Sequence, residues 1–262
     1  MTGATYEEDK RFLEKGTLMT FIIVLAATVA ACFALRNPLH KWPVAFYVLA
    51  VAVDVVFAFG TFGMLPRSVW MPMLVLVQKC MVALALFVVV MFIGCFSKES
   101  KVGRWLRPVR AELSIVACIL ACGHMAVYLA SYLPRLAMGG LGGNVLASLV
   151  LALVLLALLL VLGITSFQAV KKHMRTDTWK RLQKFAYLFF GLVYVHLVLM
   201  LLPSALAGGA AAQTTVGIYT VVFGGYAVAR IARALADKRA EAAEGAPAAA
   251  AVAFDEEAAV SA

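Results

Sequence analysis

The stretch that decides the fold runs from Val145 to Phe167, VLASLVLALVLLALLLVLGITSF, and holds no charged residue. A helix needs about 20 mostly apolar residues to cross the hydrocarbon core of a bilayer. Six more stretches qualify, at approximately 17–35, 44–64, 73–94, 112–133, 182–202 and 214–235. Composition agrees across the whole chain. Its 262 residues are 64% hydrophobic and 14% charged, against roughly half apolar and a quarter charged in soluble domains. A soluble core of this size cannot hide that much apolar surface. The sequence therefore predicts an all-α integral membrane protein, a bundle of about seven transmembrane helices. The first stretch does not read as a cleavable signal peptide, because it follows an acidic-basic segment, Tyr6 to Lys15, and no small-residue cleavage pattern ends it.

Charge fixes the orientation. The 95–111 loop carries Lys98, Lys101, Arg104, Arg107 and Arg110, and the 168–181 loop Lys171, Lys172, Arg175, Lys180 and Arg181. Arg230, Arg233, Lys238 and Arg239 follow the last span. Between them, the 65–72 loop has Arg67, the 134–144 loop Arg135, and the 203–213 loop no basic residue. Basic and neutral segments alternate, which predicts a cytoplasmic C-terminus and, with seven spans, an outside N-terminus. The net charge of +9 is thus a topology signal, and a nucleic-acid partner is excluded. Five cysteines make no disulfide framework in a chain this long. Residues 1–16 form an N-terminal extension, and 236–262, rich in Ala and Glu, read as a disordered tail.

Four histidines can be weighed singly. His40, beside Lys41 and Trp42, reads as interfacial, and His173 as solvated in a basic loop. His124 and His196 fall within spans four and six, where an ionisable group is costly and usually functional. Both spans run outward from the basic side. His124 lies about 18 Å and His196 about 21 Å along them. Two imidazoles at matching depth can clamp one planar macrocycle, each giving a nitrogen to its iron. Ala117, Ala121 and Gly123 thin the helix near His124, while Phe189 and Leu192 share the face of His196. Plain helix packing would use the same features. Zinc would want a third and fourth ligand at that depth. Cys118 and Cys122 lie off the His124 stripe, and the C-x-x-C-H pattern of covalent haem attachment is absent.

Four stretches carry a family resemblance: LRPVRAELSIVACILACGHMAVYL (106–129), GITSFQAVKKHM (163–174), TWKRLQKFAYL (178–188) and GLVYVHLVLM (191–200). They resemble the ferric-reductase-like transmembrane domain family, most nearly its members that serve periplasmic methionine sulfoxide reductase systems. The resemblance covers most of 104–200 and extends over about 73–235, with 17–72 as additional N-terminal helices. It implies that His124 and His196 are the axial ligands of one b haem clamped between helices four and six. It also implies a multi-pass protein of the bacterial inner membrane. Electrons would come from the quinone pool or a cytoplasmic flavin reductase, with FMN or quinone as a further cofactor, and go to an extracytoplasmic reductase subunit. There is one departure. The family's W-x-x-L-H histidine is Gln183 here, about 20 Å of helix before His196, which puts a second, inner cofactor in doubt.

Asp54 and Lys79 also lie within spans, at depths about 6 Å apart. An ion pair between them is expected, either as a structural pair or as a quinol-facing or proton-handling site. Arg135 and Arg67, on the outer side, read as haem propionate contacts or as solvated loop charges. The basic loops would meet membrane lipids. The expected function is a haem b electron-transfer subunit without a fused nicotinamide or flavin domain. The alternative is a non-redox transporter or structural subunit with packing histidines, although no inverted repeat is visible. A retinal protein is excluded, because residues 214–235 hold no lysine.

Overall fold

The computed structural model describes residues 20–260. Every regular element among them is helical. Six segments are long and apolar enough to span a membrane: α3 (Pro43–Thr61), α4 to α5 (Arg67–Ile93), α6 to α7 (Lys101–Ala137), α8 (Gly143–Ile164), α10 to α11 (Thr176–Leu206) and α12 (Ala210–Ala240). They coincide with six of the seven expected spans. The remaining one is met by α1, a shorter apolar helix at Thr20–Ala34. Residues 17–19 and the 1–16 extension lie outside the described residues. The segment expected to be a disordered tail instead continues α12, which runs on to Val260. Alanine and glutamate are among the strongest helix formers, so a low-complexity run of them extends a helix readily.

The turns sort onto two faces. Those near 62–66, 138–142 and 207–209 carry little charge, while 94–109 and 165–175 are basic. The short helices α2 (Arg36–Lys41) and α9 (Gln168–Lys171) join the basic face. There Trp105 Nε1 donates to Phe33 O at 3.3 Å, and Arg36 Nε donates to Trp105 O at 3.2 Å. At the mouth of α3, Tyr47 meets Phe167 edge-on with ring centroids 5.8 Å apart. So α1 runs toward the basic face and α3 away from it, which preserves the expected alternation.

The core surrounds α5 (Met81–Ile93), of which nearly every residue is buried. It packs against α7 (Arg110–Ala137), which in turn packs against α3 and α8. On the other side, α11 (Phe185–Leu206) packs against α8 and α12. The outer helices bury one stripe and expose Val, Leu, Ile and Phe on the rest. A soluble bundle would bury those residues; hydrocarbon accepts them. Glycine allows one close approach: a Cβ at Gly60 would collide with the Trp70 ring, which stacks on fully buried Phe57 at 5.6 Å.

Candidate functional site

The third span is not one straight helix. Pro72 sits in α4 (Arg67–Met73), a π-helical turn covers Leu74–Gln78, and Cys80 adopts a left-handed φ of 56° before α5 starts. A left-handed non-glycine residue costs about 1–2 kcal/mol. A broken helix also frees carbonyls that lipid cannot satisfy. One freed carbonyl, at Gln78, accepts a hydrogen bond from His124 Nδ1 at 2.5 Å. A carbonyl only accepts, so Nδ1 carries the proton and Nε2 keeps its lone pair. The break in one span thus sets the tautomer of a histidine on another.

His196 is held differently. Its Nδ1 is buried without a hydrogen-bond partner, although the Ser148 backbone lies alongside the ring. Ser148 is itself buried, with Oγ unpartnered.

Contacts with α5 give their relative depth. Arg110 reaches Val90 and His124 reaches Gln78, so Phe87 is level with about Ser114. Phe87 also touches Phe189 edge-on at 5.2 Å. His124 then lies about 15 Å beyond that level and His196 about 10 Å, a difference of less than one helical turn. The helices carrying them pack on each other marginally at most, and α8 packs against both.

Chemically, this is a pair of nitrogen donors on two walls of the bundle. Among the described residues, no group of three or more His, Cys, Asp or Glu could hold a metal ion. Two imidazoles suffice only for a metal whose other positions are already filled, as in haem. Two features of these residues would suit that group. Metal-bound histidines typically donate their second nitrogen to a carbonyl, as His124 does here, and His196 brings a half-buried ring whose Nδ1 is buried without a partner. An aromatic ladder continues toward the neutral face, with His124–Tyr128 centroids at 4.8 Å and Tyr128–Tyr132 at 5.6 Å.

Other expected residues fall elsewhere. Asp54 and Lys79 form no ion pair: Lys79 is exposed, and Asp54 faces Gly123, where a Cβ would collide with its carboxylate. The depth count assumed a straight third span, and the break at 78–80 re-aims Lys79. Asp54 Oδ1 is buried without a partner, beside an apolar groove of about 460 Å³ between α3, α7 and α8. Gly123 thus admits α3 to α7, while Ala117 and Ala121 are spent in the main core. Phe189 belongs to that core and Leu192 packs against it. Arg67 and Arg135 are exposed, and neither side chain has a hydrogen bond or ion pair among the described residues. His40 is exposed, and exposed His173 bonds Ala169 O at 2.8 Å. Gln183 Nε2 donates to Thr165 Oγ1 at 3.2 Å. The break itself escaped the sequence reading; polar Gln78 and Lys79 inside an apolar run, six residues past a proline, were its signal.

No family model matches the chain, and no solved structure matches it. The chain is similar, at 40% identity over 152 residues, to a protein of Treponema pallidum (strain Nichols) described as an uncharacterized protein. The match takes in 56% of this chain and 42% of the relative's length, so the chain spans less than half of that protein.

Proposed function

We propose that the chain is a membrane electron-transfer subunit that holds one b haem between α7 and α11, through His124 and His196. The observation that carries this reading is the bond from His124 Nδ1 to the carbonyl released at Gln78. It leaves Nε2 as the free donor and spends a helix break on orienting it. A b haem supplies a one-electron iron couple. His124 and His196 would orient and hold it, and hydrocarbon around the bundle's apolar faces would limit its contact with water. Tyr128 and Tyr132 extend the aromatic contact toward the neutral face.

That face is the extracytoplasmic one by the positive-inside rule, in a bacterial inner membrane with the C-terminus cytoplasmic. Its short, nearly uncharged turns suit a docking reductase, of the methionine sulfoxide reductase kind that the family resemblance suggests. Of the two donors, a membrane quinol suits the groove beside Asp54, whose unpaired carboxylate can take a proton. A flavin reductase would instead dock on the basic face.

The test uses membrane vesicles of known orientation. The haem, reduced by a quinol analogue, should reoxidise when an extracytoplasmic reductase and its substrate are added, and should fail to do so in His196→Ala. Reoxidation by cytoplasmic acceptors alone would reverse the direction. A protein without any reduced-minus-oxidised b-type signal would be the non-redox subunit.

A further inference from the structure

At the basic end of the bundle, α5, α7, α8, α10 (Thr176–Gln183) and α11 surround a cavity of about 400 Å³ that the histidine pair does not use. Five cations line it: Arg107, Arg110, Lys171, Lys180 and Lys184. No carboxylate does. The ion pair found among the described residues, Arg233 with Asp237, lies elsewhere, so no acid among the described residues neutralises these five at salt-bridge distance. Arg107 Nε is buried without a partner, while its Nη2 donates to Phe96 O at 2.5 Å. Arg110 spends Nε on Val90 O at 3.2 Å, which leaves its terminal nitrogens without a hydrogen bond among the described residues. Lys171 Nζ rests over the Trp179 ring at 4.3 Å.

Deeper in, the lining changes character. Ser114 and Gln183 give way to Phe87, Phe189 and Phe190, and the wall of α7 descends from Arg110 to Cys118, about 12 Å. Like charges around one partly enclosed space repel strongly when the surroundings are less polar than water. They are stable together when an anion sits among them. Arginine and lysine side by side are suited to phosphate. The positive-inside signal alone does not explain the arrangement, because these side chains line a space between helices instead of facing the lipid belt, as Lys238 and Arg239 are free to do. We propose that this cavity binds a phosphate-bearing amphiphile, its phosphate held by Arg107, Arg110 and Lys184 and its apolar part against Phe87 and Phe189. The site is independent of the haem.

The full chain in phosphatidylcholine nanodiscs doped with phosphatidylglycerol provides the test, with retained lipid counted by native mass spectrometry. One phosphatidylglycerol per chain should be held at least tenfold in preference to phosphatidylcholine. Arg110→Gln with Lys184→Gln should bring that preference to near unity, and so should the exposed pair Lys180→Gln with Lys184→Gln if the first folds poorly. Lys238→Gln with Arg239→Gln should leave it unchanged. Calorimetry with inorganic phosphate in pure phosphatidylcholine nanodiscs separates the sources. Phosphate binding that the same variants abolish assigns the site to a soluble phosphorylated compound, and its absence beside a lipid preference assigns it to a lipid headgroup. Equal retention of both lipids with no phosphate binding, or a preference that both cavity variants leave intact, would overturn the proposal.

Discussion

His124 and His196 sit within one helical turn of each other in depth, on helices that run the same way, yet they are held by opposite means. His124 is pinned: its Nδ1 closes the gap opened by the broken third span. His196 is half-buried beside Ser148, with its Nδ1 buried and unpartnered. The first is a preorganised donor whose hydrogen bond is also structural. The second gains little from the fold alone, and a buried ring nitrogen without a partner costs stability. A pair built this way has one rigid wall and one that the fold leaves unpartnered.

The largest effect should come from removing either ring. His124→Ala and His196→Ala should each abolish the low-spin b-type spectrum, whereas His40→Ala and His173→Ala should leave it intact. The two variants should nevertheless differ. With His196 gone, His124 stays oriented, so some five-coordinate, high-spin haem is expected to remain. With His124 gone, the Gln78 carbonyl also loses its donor, and haem should be lost more completely.

The helix contact beneath the site comes next. Gly123→Leu would drive a side chain into Asp54 and separate α3 from α7, at a cost of about 1–3 kcal/mol in detergent unfolding. Comparable in size is an asymmetry in the haem-free protein. His124→Ala should destabilise it by about 1–3 kcal/mol, because a buried carbonyl is left unsatisfied. His196→Ala should cost less, since it removes a nitrogen that was already unpaired. Equal losses in the two haem-free variants would dissolve the distinction between pinned and unpinned rings. Cys80→Gly should stabilise by at most about 1 kcal/mol by relieving a left-handed residue, while Cys80→Val should do the reverse. Ser148→Ala should be the mildest, within about 0.5 kcal/mol of wild type, because its hydroxyl has no partner to lose.

The spans were legible because hydrocarbon imposes a length and an apolar composition that few other structures share. Val145–Phe167 alone was enough to establish the class. The histidines were legible too, since an ionisable ring inside such a run stands out. What stayed hidden was local backbone irregularity. Counting residues along an assumed straight helix brought Asp54 and Lys79 to similar depths, but the π-helical turn and left-handed Cys80 rotate everything after Gln78. The role of Gly123 was half legible: a small residue was expected to thin α7, but its neighbour proved to be the Asp54 carboxylate on α3. The basic loops were legible as segments alternating with neutral ones, while their convergence around one cavity required knowing which helices enclose it. The tail from 236 onward was read by complexity when propensity was the better guide, for Ala and Glu favour helix whatever their periodicity.

Haem stoichiometry tests the central claim most directly. Pyridine haemochrome analysis of the purified full chain, set against protein concentration, should give close to one b haem per chain, held between His124 and His196, with Gln183 committed to Thr165 at the other end. A ratio near zero from haem-replete cells would contradict the assignment of the pair, and a ratio near two would contradict a single site.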